Sequence, residues 1–374
     1  MKQTTKKRSP RGSVPVLVTL FAIALAACHE EEAPGKPLPF VAGEGLFILN
    51  EGAWHANNAT LDFWSTTTGE YAREIFKQVN PEAVLGLGEL GNDIGIYGRK
   101  LYLVINGSDK VEVLDASTGM RLKTLSIEQP RYITFAGGHA YVSAYGGATT
   151  PGHGVVVEID TATREITRRV EVGRQPEELV VAAGNLYVAN SGGLSSGDYE
   201  RTLSVISLDR FTRDQEIPVA INLHLVQPDG RGNLYVSSRG DYDTIPPRLF
   251  VVEIARARVI DSIDIPVSRL AIAGDTAYIL GMRYSSETAT TVHGYYKMDT
   301  RTRTPLAGSF ITDGSEGEIM APYGIAVHPL TGDIYVTDAR TYDVGGKIFR
   351  FSPGGRKLDE RPAGVVPAHV VFKR

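Results

Sequence analysis

Apolar positions along this chain fall in short runs, not at helical spacing. Seven times, a polar or small residue is followed by an apolar residue, an aromatic and another apolar residue. The runs are Gly45-Leu46-Phe47-Ile48, Lys100-Leu101-Tyr102-Leu103, His139-Ala140-Tyr141-Val142, Asn185-Leu186-Tyr187-Val188, Asn233-Leu234-Tyr235-Val236, Thr276-Ala277-Tyr278-Ile279 and Asp333-Ile334-Tyr335-Val336. Their aromatic positions lie 39 to 57 residues apart, a spacing that suits one four-stranded unit per repeat.

The neighbours of each run keep a fixed order. Upstream is an apolar strand such as Leu179-Val180-Val181-Ala182. It ends at a tight turn, for example Gly137-Gly138 or Gly184-Asn185, where Gly and Asn supply the positive φ that hairpins need. Downstream come a variable loop, a third strand such as Val155-Val156-Val157-Glu158-Ile159-Asp160, a polar turn, and a fourth strand such as Arg168-Arg169-Val170-Glu171-Val172. Inner strands that are apolar throughout suit burial on both faces. A charged outer strand suits water and resists pairing with foreign edges. The first unit begins at Gly45 with no inner strand before it. The final segment, Pro367-Ala368-His369-Val370-Val371-Phe372, is an inner strand with nothing after it. The pattern therefore predicts an all-β, seven-bladed β-propeller over residues 43–374, its ring closed by the C-terminal strand joining the first blade.

The N-terminus has a different character. Lys2, Lys6, Lys7, Arg8 and Arg11 precede an almost wholly apolar stretch, residues 14–27, of signal-peptide length. It ends in Leu25-Ala26-Ala27-Cys28, a lipobox, and Cys28 is the only cysteine in the chain. Residues 1–27 are expected to be a lipoprotein signal peptide and Cys28 the lipidation site. Residues 28–42 then form the lipidated cysteine and a disordered acidic tether carrying Glu30, Glu31 and Glu32. The expected location is the outer membrane, lipid-anchored and facing the cell exterior. An acyl anchor of more than one chain is enough to hold a protein there.

Composition narrows the choice of partner. With 374 residues and a formal charge of -4, the chain lacks the basic balance of a nucleic-acid binder. It shows neither helical metal spacing among its eight histidines nor an Asp-x-Asp-x-Asp-Gly calcium loop. No cofactor or metal is expected. No serine sits in a nucleophile elbow. An enzyme is not expected, although a propeller lyase or lactonase can assemble groups from several blades. His55 with Glu51, or Asp338 with Asp93, would be its first candidates.

Chemistry concentrates in the loops between second and third strands, which a propeller gathers on one face. These supply Trp54, His55, Asn57 and Asn58, then Asn106, Tyr145, Asn190 and Tyr199. Further on they supply Arg239, Tyr242, Arg283, Tyr284, Asp338, Arg340 and Tyr342. The starts of inner strands add Arg131, Tyr132 and Tyr323 on the same side. Tyr and Trp give contact area at low entropic cost, and amide and guanidinium groups give direction. This set is expected to be a ligand-binding face, although any one of its turn residues has an equal claim to a structural role.

Several strings carry a family resemblance. They include Phe47-Ile48-Leu49-Asn50-Glu51-Gly52, Pro130-Arg131-Tyr132, Tyr187-Val188-Ala189-Asn190-Ser191-Gly192-Gly193, Ser237-Ser238-Arg239-Gly240-Asp241-Tyr242 and Pro322-Tyr323-Gly324-Ile325. Together they resemble the YncE-like surface propeller lipoproteins of Bacteroidota over nearly all of residues 44–374. That group includes surface vitamin B12-binding lipoproteins. The resemblance implies that the loop face binds cobalamin or another corrinoid and delivers it to an outer-membrane TonB-dependent transporter. A flat corrin fringed with amides would suit aromatic faces beside Asn, Arg and Asp. A structural or adhesive surface protein binding protein or glycan is the alternative.

Overall fold

The computed structural model describes Met1, Val41 and residues 43–374, apart from 148–151, 196 and 286–289. Cys28, the signal peptide after Met1 and nearly all of the tether lie outside the described residues.

Seven four-stranded antiparallel sheets follow one another in chain order. Blade 2 shows the plan: β4 (Gly91–Tyr97), β5 (Lys100–Ile105), β6 (Lys110–Asp115) and β7 (Arg121–Ser126) run from the channel outward. Blade 1 is assembled from both ends of the ring. Its innermost strand is β28 (Pro367–Lys373), paired with β1 (Gly45–Asn50), which is followed by β2 (Thr60–Ser65) and the short β3 (Tyr71–Ala72). Leu46 faces Phe372 and Ile48 faces Val370 in that closing register. The prediction of seven blades closed by the C-terminal strand is met.

The repeated aromatic has a single physical job. Each one packs into the wedge between its own blade and the next. Phe47 joins a cluster with Leu101, Leu103 and Leu114 of blade 2. Tyr102 packs with Val142 and Val157 of blade 3. Tyr335 closes the ring by packing with Leu46, Ile48 and Trp64 of blade 1. Six of the seven aromatics are buried, and Tyr278 is half-buried between blades 6 and 7. A blade is therefore unstable alone and stable in a ring, because the apolar side chains of each interface leave water only when the neighbour arrives. The outer strand Glu165–Val172 alternates exposed and half-buried positions, as its charge pattern predicts.

Candidate binding face and central channel

The site begins with a backbone irregularity. In six of the seven innermost strands the pairing register slips near the first residues: between Gly91 and Asp93, Pro130 and Ile133, Pro176 and Leu179, Leu223 and Val226, Pro322 and Ile325, and Pro367 and His369. A bulge of this kind inserts an extra residue and re-aims side chains. It lets two consecutive residues, such as Arg131 and Tyr132 or Glu177 and Glu178, reach polar partners around the channel. Hydroxyls hold the bulges in place. Ser143 Oγ accepts the Tyr132 N–H at 3.1 Å and donates to the Glu177 carbonyl of the next blade at 2.7 Å. Thr337 does the same between Gly324 and Pro367, at 2.7 and 2.5 Å.

Glu177 is the hub of the upper channel. Its carboxylate accepts Arg131 Nη2 at 2.8 Å, Arg239 Nη1 at 3.0 Å and the Tyr145 hydroxyl at 2.8 Å. Arg131 also donates to Asn92 Oδ1, and Asn92 Nδ2 donates to the Arg131 carbonyl at 2.6 Å. Four blades, the second to the fifth, are tied together this way. Burial pushes the Glu177 carboxyl up, but the Arg131 and Arg239 guanidinium groups outweigh it and hold it at about 2. Across the channel the Tyr323 hydroxyl donates to Glu51 Oε2 at 2.7 Å, joining blades 7 and 1. The Tyr132 hydroxyl meets His224 Nε2 at 2.9 Å. Burial, then the charges of Arg239, Arg269 and Arg131, keep His224 neutral, well below the usual imidazole value.

A second ring lies one step along the strands. Asp93 accepts the N–H groups of Ile94 and Ile133 at 2.8 and 2.9 Å. His369 Nδ1 stands 3.5 Å from Asp93, with its pKa pushed by burial and by Arg269 and Arg131 down to about 3. Glu178 accepts the Val226 N–H at 2.7 Å. Burial raises Asp93 to about 7, and burial reinforced by the Asp93 charge raises Glu178 to about 8.

These shifts act on stability with opposite signs. Asp93 and Glu178 hold protons more tightly in the folded chain, so their contribution is full at low pH and is lost as pH rises through 7 to 8. Glu177 holds its proton less tightly, so its contribution is present above about 4.5 and is lost as pH falls toward 2. The melting temperature should fall between pH 6 and 9, and Glu178→Gln should remove much of that fall. Thermal melts at both pH values check this. Equal slopes in wild type and variant would refute it.

The residues expected on the binding face divide into three groups. Arg131, Tyr132, Tyr145, Arg239 and Tyr323 come together in the channel network. Trp54, Tyr242 and Tyr342 stand on the face itself, exposed by 69, 71 and 45%. His55, Asn57, Arg283 and Arg340 are exposed with them, and Tyr199 is half-buried. The third group serves the fold. Asn190 is fully buried and donates to Thr202 and Ser204 hydroxyls at 3.1 and 2.9 Å, so it offers nothing to a ligand. Asp338, 2% exposed, accepts the N–H groups of Ala321 and Arg340. Asn58 accepts the Ala53 N–H at 2.8 Å, and Asn106 donates to the Pro130 carbonyl at 3.0 Å. Tyr284 pairs with Thr291 in the blade 6 hairpin, and its side chain lies outside the described residues. The paired groups considered for catalysis find other partners: Glu51 bonds Tyr323, Asp93 faces His369, and the His55 N–H donates to Glu89 at 2.7 Å.

Most of the channel was missed in the sequence: Asn92, Glu177, Glu178, His224, Gln227, Arg269 and His369. The available signal was a polar residue opening an otherwise apolar inner strand at the same place in successive repeats.

Exposed apolar surface is unevenly shared. Fifteen large hydrophobic side chains of the described propeller are exposed. Only Leu122, Leu306, Leu330 and Leu358 lie on outer strands or at the opposite end. The other eleven are Trp54, Val84, Leu85, Leu194, Tyr242, Ile245, Met282, Val292, Met320, Tyr342 and Val344, on the loop face or the hairpin rising from it. That hairpin, β21 (Thr276–Ser285) with β22 (Thr290–Asp299), has ten residues in each arm against six in β5 and β6. At about 3.3 Å per residue it overtops the rim by roughly 13 Å.

A family model described as a domain of unknown function, DUF5074, matches residues 44–347, from the first strand of blade 1 into the third strand of blade 7. The chain belongs to the DUF5074 family. No curated protein matches it. Among solved structures, this DUF5074 propeller is similar to a hypothetical selenium-binding protein from Sulfolobus tokodaii, with TM-score 0.66, 12% identity, and 90% of this chain and 94% of that chain covered. It is similar to a protein from Bacteroides fragilis described as a candidate 6-phosphogluconolactonase, with TM-score 0.60, 14% identity, and 91 and 100% covered. It is also similar to a quinoprotein alcohol dehydrogenase-like protein from Bacteroides thetaiotaomicron, with TM-score 0.59, 15% identity, and 89 and 78% covered. At these identities the likeness is one of fold.

Proposed function

We propose that this DUF5074 propeller is a lipid-anchored surface protein that captures a corrinoid on its loop face and passes it to an outer-membrane TonB-dependent transporter. The observation that carries the reading is the gathering of eleven of fifteen exposed large hydrophobic side chains on that face. Monomeric proteins seldom leave such surface uncovered unless it meets something. Trp54, Tyr242 and Tyr342 provide flat apolar contact, and the exposed Arg283 and Arg340 provide donors for an amide-fringed ring. Binding is favoured over catalysis because the channel carboxylates and imidazoles are largely engaged with one another and with backbone N–H groups. Anchoring follows from the lipobox at Cys28, and the transporter from the resemblance to surface B12-binding lipoproteins.

Hydrogen exchange with and without cyanocobalamin tests the proposal. Protection is expected in segments 51–59, 239–247 and 339–344, with no change in the opposite hairpin turns near 98, 137 and 184. Protection of the opposite turns, or none anywhere, would overturn it.

A further inference from the structure

We propose that the central channel holds a second site, a chamber at Arg269 that binds a small monovalent anion such as a halide or a short carboxylate. This site is independent of whatever occupies the loop face. A cavity of about 110 Å³ lies among Asp93, Tyr132, Glu178, Gln227, Arg269 and His369. That is room for several waters or one small ion.

Arg269 is the cation in this chamber that has no contact ion pair among the described residues; the Glu51 charge acts on it without touching it. A guanidinium carries five N–H donors. Here Nη1 donates to the Ser268 carbonyl at 3.0 Å, and the guanidinium carbon lies 4.8 Å from the centre of the Tyr323 ring. Nε is buried with no acceptor. No carboxylate forms an ion pair with Arg269 among the described residues, whereas Arg131 and Arg239 share Glu177. A half-buried guanidinium with an unsatisfied buried Nε and no carboxylate in contact is costly, and the usual remedy, loss of the proton, is closed to arginine. An anion in the chamber would supply the missing charge and acceptor.

The carboxyls nearby do not take that role. Asp93 is turned to the Ile94 and Ile133 N–H groups, and Glu178 to the Val226 N–H and Gln227. Burial raises both, so at slightly acid pH they are largely neutral. The other groups around Arg269 leave the balance positive. Even with Glu51 counted as charged, the three guanidinium groups of Arg131, Arg239 and Arg269 outnumber Glu177 and Glu51, while His224 and His369 are neutral.

Two measurements at pH 6 test the site. Melting temperatures are compared in bromide, formate and gluconate at constant ionic strength, gluconate being too large for the chamber. Bromide and formate should raise the wild-type value by several degrees over gluconate. Arg269→Met should abolish the difference, and Arg269→Lys should retain part of it. Should the methionine variant fail to fold, anomalous diffraction from wild-type crystals grown in bromide decides the matter. A bromide peak in contact with the Arg269 guanidinium is expected. Water alone in the chamber, or equal melting temperatures in all three anions, would overturn the proposal.

Discussion

Replacing Glu177 with Ala is expected to cost about 3 kcal/mol of stability, because it strands two half-buried guanidinium groups, 17 and 25% exposed, beside each other. In a domain of this size the fall in melting temperature should be about 5 °C. The cause is electrostatic. Glu177 is 1% exposed and is the shared counter-ion of Arg131 and Arg239, which approach it from blades 3 and 5. Without it, like charges face each other where water screens them only in part. The Tyr145 hydroxyl loses its acceptor as well. Glu177→Gln should cost less, since an amide keeps one acceptor, and should remove the Glu177 share of the stability expected to be lost between pH 4.5 and 2. Glu177→Ala combined with Arg239→Met should cost less than the two changes summed, the signature of a coupled pair. Thermal or denaturant unfolding of wild type and the four variants, Arg239→Met alone included, checks the set. A change below about 1 kcal/mol for Glu177→Ala would show that the hub carries no such weight.

The architecture was legible because one physical requirement repeats. Every blade must fill the wedge against its neighbour, and Phe47, Tyr102, Tyr141, Tyr187, Tyr235, Tyr278 and Tyr335 do so from one position in the unit. Closure was legible for a related reason: an inner strand at the C-terminus has nothing to pair with except the unit that lacks one. The channel was not legible in the same way. The place in the repeat occupied by Arg131 is taken by Glu177 in the next blade, by His224 in the one after, and by Tyr323 in the last. A position that changes in every repeat carries no period. Its contacts run between blades, 46 residues from Arg131 to Glu177 and 62 from Glu177 to Arg239, beyond the reach of any local pattern.

Asn190 and Asp338 were misplaced for the opposite reason. As turn-forming residues next to variable loops they read as rim. They in fact end second strands, where their side chains reach inward. Asn190 donates to Thr202 and Ser204 as Asn50 does to Thr60 and Asp62 in blade 1. That equivalence between blades marks a structural role. Trp54, Tyr242 and Tyr342 have the opposite character. Among the described residues the side chains of Trp54 and Tyr242 make no hydrogen bond; Trp54 stacks edge-on with its neighbour His55, and the Tyr342 ring meets Tyr323. Side chains that do so little for the fold are the ones to test for binding.

Titration of cyanocobalamin into the wild-type protein and into the triple variant Trp54→Ala, Tyr242→Ala, Tyr342→Ala tests the binding face most directly. Aromatic anchors buried on binding are typically worth about 2 kcal/mol each, so losing three, roughly 6 kcal/mol if they add, should weaken binding on the order of 10,000-fold. Exposed side chains contribute roughly 0.5 kcal/mol or less each to folding, so the melting temperature should barely move. Wild type should give saturable heat and a shift in corrin absorbance, both lost in a variant that remains as stable. Absence of binding by wild type, or equal affinity in a variant stripped of all three aromatics, would contradict a binding role for that face.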